Sequence, residues 1–117
     1  MGTTEDLNDF TRALVTGRLV DKALVAQMMT PVTMGAIDYG LGLYRIPDPC
    51  PTSADDPYLY GHDGAAMGTL SVAFTSPDGR RQLSVAATGR DLTALPGRVD
   101  LNTVLVPMLE ASCTPKS

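Results

Sequence analysis

Over the first thirty residues the apolar positions recur at helical spacing. Thr4 followed by Glu5 and Asp6 reads as an N-cap with acidic residues in the first turn. Such residues satisfy free backbone N–H groups and complement the helix dipole. Leu7, Phe10 and Leu14 then form one stripe, and Gly17 supplies a C-terminal stop. Asp21 is placed to cap a second short helix, with Leu24, Val25, Met28 and Met29 inward, before Pro31 ends it. These methionines are read as core filler, not as a cofactor box.

From Asp38 the period shortens. Ile37–Ile46 carries Tyr39, Leu41 and Leu43 on alternate positions, which predicts a strand. The stretch from Pro47 to Pro57 holds four prolines and reads as a loop that something must tie down, with Cys50 the obvious tether. Tyr58–Ala65 predicts a short strand. Gly68–Ser76 and Arg81–Thr88 predict two more, joined by the turn Pro77-Asp78-Gly79. Leu70, Val72 and Phe74 alternate with small or polar residues, as do Leu83 and Val85, so one face is expected in a core and the other in solvent. Gly89–Gly97 reads as a loop. Asp100 is expected to cap a last helix carrying Leu101, Val104, Leu105, Met108 and Leu109, which Pro107 should bend or shorten.

The expected fold class is α+β in a single domain: residues 1–36 helical, 37–88 an antiparallel sheet of three to four strands, and 99–113 a C-terminal helix, with the helices on one sheet face. Such a sheet has two open edges, and Gln82–Thr88 is apolar enough to want a partner.

Composition narrows the function classes. The 117 residues carry a net charge of −4, and the nine Lys and Arg are scattered, with Arg80–Arg81 the one basic pair. Nucleic-acid binding needs a basic face, and none is visible. No apolar run approaches the roughly 18–20 residues of a membrane span, and no signal peptide opens the sequence. Cys50 and Cys113 lie too far apart for a CxxC motif, and with one histidine a structural zinc site lacks ligands. From spacing alone the cysteines fit either two small core thiols or one long-range disulfide.

Candidate chemistry is sparse. His62 is the only histidine and Asp63 is its neighbour. Strand neighbours point to opposite faces, so the two are not expected to form a simple acid–base pair. Asp48, Asp55 and Asp56 are expected to be solvated in the proline-rich loop, without an EF-hand pattern. Gly61, Gly64 and Gly68 do not sit between a strand and a helix as a dinucleotide fingerprint would. No cofactor or metal is implied.

Several motifs occur together and in order: Tyr39-Gly40-Leu41-Gly42-Leu43, Tyr60-Gly61-His62-Asp63-Gly64, Gly68, and Ser76-Pro77-Asp78-Gly79-Arg80-Arg81. With the opening Thr3–Phe10 and the closing Leu101–Cys113, this series is similar to the C-terminal part of the penicillin-recognising, beta-lactamase-related serine hydrolases. Secreted D-alanyl-D-alanine carboxypeptidases and class C beta-lactamases are the members it most resembles. The family's strand motif is Lys or His, then Thr or Ser, then Gly. Carried over, the resemblance implies that His62 supplies positive charge or a proton relay and that Gly64 permits close substrate approach. It also implies that the Ala65 N–H forms half of an oxyanion hole, which stabilises charge in the transition state. Asp63 departs from the hydroxyl residue. A carboxylate there would repel a substrate carboxylate, so a peptide-like or ester substrate without one is the better expectation.

The resemblance also implies what this sequence does not contain. No serine has lysine three positions on, and no tyrosine begins Tyr-x-Asn, so neither the nucleophile motif nor its partner is present. The expectation is a fragment or truncated member that is inactive alone, from a secreted or periplasmic parent. It would have a Cys50–Cys113 bridge as in the related carboxypeptidases, and an Arg81–Thr88 edge completed by an N-terminal segment or by a second copy. The alternatives are a non-catalytic binding or dimerisation module using that edge, and an unrelated α+β interaction domain.

Overall fold

The structure is a computed structural model that describes residues 2–88 and 101–113, and side chains of the last helix from residue 105 onward. The loop expected at Gly89–Gly97 and the cap expected at Asp100 lie outside those residues. Three helices and a six-stranded antiparallel meander make up the fold: α1 (Thr4–Val15), α2 (Lys22–Met28), β1 (Val32–Met34), β2 (Ile37–Tyr39), β3 (Tyr44–Pro47), β4 (Tyr58–Ala66), β5 (Thr69–Thr75), β6 (Gln82–Thr88) and α3 (Leu101–Ala111). The α+β class is as the pattern predicts, in a wider sheet. The stretch read as one strand from Ile37 is a hairpin, because Gly42, at φ 72°, turns the chain between Tyr39 and Tyr44. β1 lies earlier still, within the segment expected to be helical.

The strand registers explain the layering. Ile46, Leu59 and, across β5 and β6, Val72, Phe74, Leu83 and Val85 point to one side of the sheet. There they pack against Leu105 and Leu109 of α3. Each fully buried aliphatic or aromatic side chain of this cluster is worth about 1.5–3 kcal/mol. Tyr60, one residue on from Leu59, faces the other way and joins Val15 of α1 and Leu43.

The helices therefore cover both faces, where one covered face was expected. Small and hydroxyl residues make the second face coverable. Ala73, Thr75 and Ser84 let α1 approach closely, and Ser84 Oγ donates to Asn8 Oδ1 at 2.7 Å. The inward stripe of α1 is correspondingly mixed: Thr11 and Val15 are buried while Phe10 is 56% exposed. The cap is Thr3, not Thr4, in a reciprocal capping box with Asp6. In α2 only Val25 is fully buried and Leu24 turns outward. Pro107 lies inside α3, which continues through it to Ala111. The proline removes one helical N–H, and Leu105 and Leu109 are nevertheless buried on either side of it.

The proline-rich loop is fixed at three points. Asp48 N donates to Pro57 O at 2.9 Å, closing the loop at its neck. Cys50 is bonded to Cys113 just beyond α3. The Asp48 carboxylate, expected in solvent, is buried against the Arg81 guanidinium at 3.0 Å, with its side chain 1% exposed. Arg81 also reaches Ser112 O, and the Cys50 N–H donates to Asp48 Oδ1. The loop folds back over the start of β6, which buries a carboxylate that the surrounding composition marks as exposed. Among the described residues no helix is long and apolar enough to cross a membrane.

Closing a loop of 63 residues restricts the unfolded chain by about 4 kcal/mol on the chain-entropy model. Reduction, or Cys113→Ser with Cys50→Ser, is expected to lower the urea midpoint by an amount matching most of that figure. An unfolding curve unmoved by reductant would show that the bridge contributes nothing to stability.

Candidate functional site

β4 carries the His62–Asp63–Gly64 sequence. Strand β3 stops opposite Gly61, so from His62 onward that flank of β4 has no strand partner among the described residues. The opposite flank is paired to β5 as far as Ala66. Ala65 and Ala66 are exposed, and Met67 at the hairpin tip is 89% exposed. The strand thus offers one free backbone edge bearing His62, Asp63, Gly64 and Ala65.

Gly61 sets what stands beside that edge. A Cβ built on it would lie 1.8 Å from Ala73 O, so no side chain fits. Tyr44 and Phe74, its partners on either flank, meet edge to face with ring centroids 5.1 Å apart. Tyr39 is paired with Tyr44 and stacks beside it at 6.2 Å.

His62 lies against both tyrosines, 5.6 Å from the Tyr39 centroid and 5.3 Å from that of Tyr44, edge-on to each. Tyr39 Oη is 2.8 Å from His62 Nε2. Tyr44 Oη donates to Asp63 Oδ1 at 3.0 Å, and His62 Nδ1 lies 3.7 Å from the same oxygen. His62 and Asp63 are therefore brought together, contrary to the expectation that strand neighbours diverge. Among the described residues no third strand lies beside the imidazole, which turns onto the tyrosine pair. Both side chains remain partly exposed, 46% for His62 and 35% for Asp63.

Tyr39 was read as a strand residue and the start of a motif of the resemblance, and Tyr44 as a strand residue; neither was given a place in the site. The signal that unites them was the Gly-containing turn they flank, which makes residues five apart cross-strand neighbours. Burial, then the adjacent Asp63 carboxylate and the hydrogen bond to it, push the Tyr44 phenol well above its ordinary range.

Elsewhere, a cavity of about 570 Å³ opens between α1, α2 and β4, lined in part by Val15, Lys22, Val25, Asp56 and Tyr60. Tyr60 Oη donates to Asp56 there, so Asp56 is also engaged instead of solvated. None of Tyr39, Tyr44, His62 or Asp63 lines it. Among the described residues no three His, Cys, Asp or Glu converge as a metal site.

Chemically, the β4 edge combines an imidazole, a carboxylate, two phenols and free backbone beside small residues. It can bind a polar group and move a proton. The described residues place no serine hydroxyl in hydrogen-bond contact with His62.

No family model matches the chain. It is similar in structure to a D-stereospecific amidohydrolase from Streptomyces sp., with 31% identity and a TM-score of 0.59. The match covers 73% of this chain and 24% of that one, so the chain spans about a quarter of its neighbour's length. The likeness supports the beta-lactamase-related superfamily that the sequence resembles, and does not select its class C or carboxypeptidase branch.

The raised Tyr44 phenol has a consequence for stability. The folded chain keeps this proton where the unfolded chain loses it, so the contribution is whole below about pH 10 and is lost as pH rises beyond. The melting temperature is expected to fall above about pH 10, less steeply in Tyr44→Phe. Equal slopes in the two proteins would exclude Tyr44 as a source of the fall.

Proposed function

We propose that this chain supplies one wall of a serine-hydrolase cleft and does not hydrolyse by itself. The observation that carries the reading is the β4 edge, where the flank of His62–Asp63–Gly64–Ala65 away from β5 has no strand partner among the described residues and lies beside the tyrosines. The amidohydrolase likeness gives it further support. In the complete site His62 is the proton-relay or cationic group, Gly64 admits the substrate, and the Ala65 N–H is one oxyanion donor. Asp63 stands where a hydroxyl would greet a substrate carboxylate. An amide or ester without that carboxylate is the substrate class, in preference to D-Ala-D-Ala termini. The nucleophile must come from a Ser-x-x-Lys segment outside these 117 residues, in a secreted or periplasmic parent whose disulfide is maintained by an oxidising compartment.

The second sheet edge supports a partner at β6. β6 is the terminal strand of the described sheet, with Ala86, Ala87 and Thr88 exposed. It is the place for a strand of the nucleophile-bearing segment, or for a second copy of this chain.

Incubated alone with a labelled fluorophosphonate, a serine-reactive probe without a carboxylate, the chain is expected to take up no covalent label. Added to a segment carrying Ser-x-x-Lys, it is expected to restore labelling that His62→Ala weakens at least tenfold, in line with loss of one proton-transfer group. Covalent labelling of the isolated chain would overturn the assignment. Light scattering separates the two occupants of β6: a concentration-dependent dimer supports self-pairing through Gln82–Thr88, and a monomer with fast amide exchange there rejects it.

A further inference from the structure

The two ring nitrogens of His62 meet different surroundings. Nδ1 lies 2.5 Å from the Asp63 carbonyl oxygen and 3.7 Å from Asp63 Oδ1. A carbonyl and a carboxylate can only accept. Nε2 lies 2.8 Å from Tyr39 Oη, which can donate or accept. A bare lone pair on Nδ1 would face the lone pairs of the carbonyl at hydrogen-bond distance. A proton there makes a hydrogen bond to the carbonyl and is attracted by the carboxylate. The neutral ring has a single N–H, so Nε2 must carry the lone pair and Tyr39 must donate to it.

We infer that Tyr39 is a positioning residue for His62, holding its neutral imidazole in the Nδ1–H form with a basic Nε2 aimed at the phenol. The bonds then run in one direction, from Tyr39 O–H to Nε2 and from Nδ1–H to Asp63 O. The edge-on packing against Tyr39 and Tyr44 restricts rotation of the ring, so the two hydrogen bonds hold together. Tyr44 completes the arrangement from the other side by donating to Asp63 Oδ1.

The arrangement changes which atom meets an incoming group. The basic nitrogen of His62 is already occupied by the phenol, and the phenol oxygen keeps its own lone pairs. A proton entering the site is taken up by Tyr39 Oη as the phenol proton passes to Nε2. The phenol is restored, the imidazole becomes imidazolium, and the incoming group leaves as its conjugate base. The positive charge forms beside the Asp63 carboxylate. This relay rests on the proposed role of His62, whereas the tautomer and its dependence on Tyr39 do not.

The experiment uses the full chain labelled with ¹⁵N. His62 is the only histidine, so its ring signals need no assignment. A long-range ¹H–¹⁵N correlation recorded on the alkaline plateau of a pH series, where the ring ¹⁵N shifts no longer change, reports the neutral ring. The expected spectrum shows Nδ1 protonated and Nε2 unprotonated, with a Tyr39 hydroxyl proton in contact with the ring. Tyr39→Phe keeps the aromatic packing and is expected to move the tautomer ratio about five- to tenfold toward Nε2–H, the effect of losing one hydrogen bond. Tyr44→Phe, which retains the Tyr39 hydroxyl, is expected to leave Nδ1–H dominant. An Nε2–H ring in the unmodified chain overturns the inference, as do unchanged nitrogen shifts in a Tyr39→Phe chain whose backbone spectrum is folded. Failure of fluorophosphonate labelling in the completed site would count against the hydrolase reading and leave the tautomer result intact.

Discussion

The missing side chain at Gly61 is the constraint from which the site follows. Its α-carbon packs so closely on the Ala73 carbonyl that any Cβ would force β4 and β5 apart. The space above it is filled from both flanks by Tyr44 and Phe74, which belong to strands that are not neighbours. That contact holds Tyr44 upright. Tyr44 in turn orders Asp63 by a hydrogen bond and offers its ring to His62, while its register partner Tyr39 reaches the far ring nitrogen. A glycine one residue before the motif thus sets the direction of the histidine and aspartate after it. Gly64 has a different role: the nearest obstacle to a Cβ there is the Ser71 hydroxyl at 3.1 Å, a side chain able to give way.

A second knot ties the distant end of the sheet. Asp48 and Arg81 form a buried ion pair, and the Cys50–Cys113 bond lies between the same loop and the end of α3. A buried pair is weak evidence of net stability, because desolvation offsets much of the Coulomb gain. Its value here is in specifying geometry. Only one placement of the proline-rich loop satisfies Asp48, and that placement brings Cys50 to Cys113 and the end of α3 over the core. Leu105 and Leu109 then close the face that β4, β5 and β6 present.

Much of this was legible in the sequence. The turn at Pro77-Asp78-Gly79 is as predicted, with Asp78 Oδ1 accepting from Ser76 and Arg80, and Gly79 at φ 72°. The alternation of Leu70, Val72 and Phe74 marked one face of β5 as buried, and Val72 and Phe74 are in the core that α3 closes, while Leu70 lies outside that cluster. The second face was not legible, because Ala73, Thr75 and Ser84 read as a solvent face. Composition cannot distinguish a small polar surface facing water from one facing a helix that is itself polar, as Asn8 and Thr11 make α1. Asp48 was misplaced for a related reason: its environment is created by Arg81, thirty-three positions away. The site was half legible. His62 and Asp63 were found by motif, but their orientation depends on where β3 ends, and local alternation carries no information about that.

Asp63 is where the observed geometry bears most directly on substrate chemistry. Its Oδ1 is taken by Tyr44, whereas Oδ2 accepts no hydrogen bond among the described residues and the side chain is 35% exposed. An ionised carboxylate has room for several donors, and a partly exposed one loses little by exchanging water for a ligand N–H. A hydroxyl at this position could donate to an anionic group. Asp63 can only accept, and Tyr44 fixes it in that posture. On the proposed reading, a ligand presenting an amide N–H or an ammonium to the β4 edge would gain a charge-assisted hydrogen bond, while one presenting a carboxylate would meet repulsion. On that reading, discrimination at this wall would rest on the sign of the group facing Asp63, which would favour an amide over a substrate that ends in a free acid.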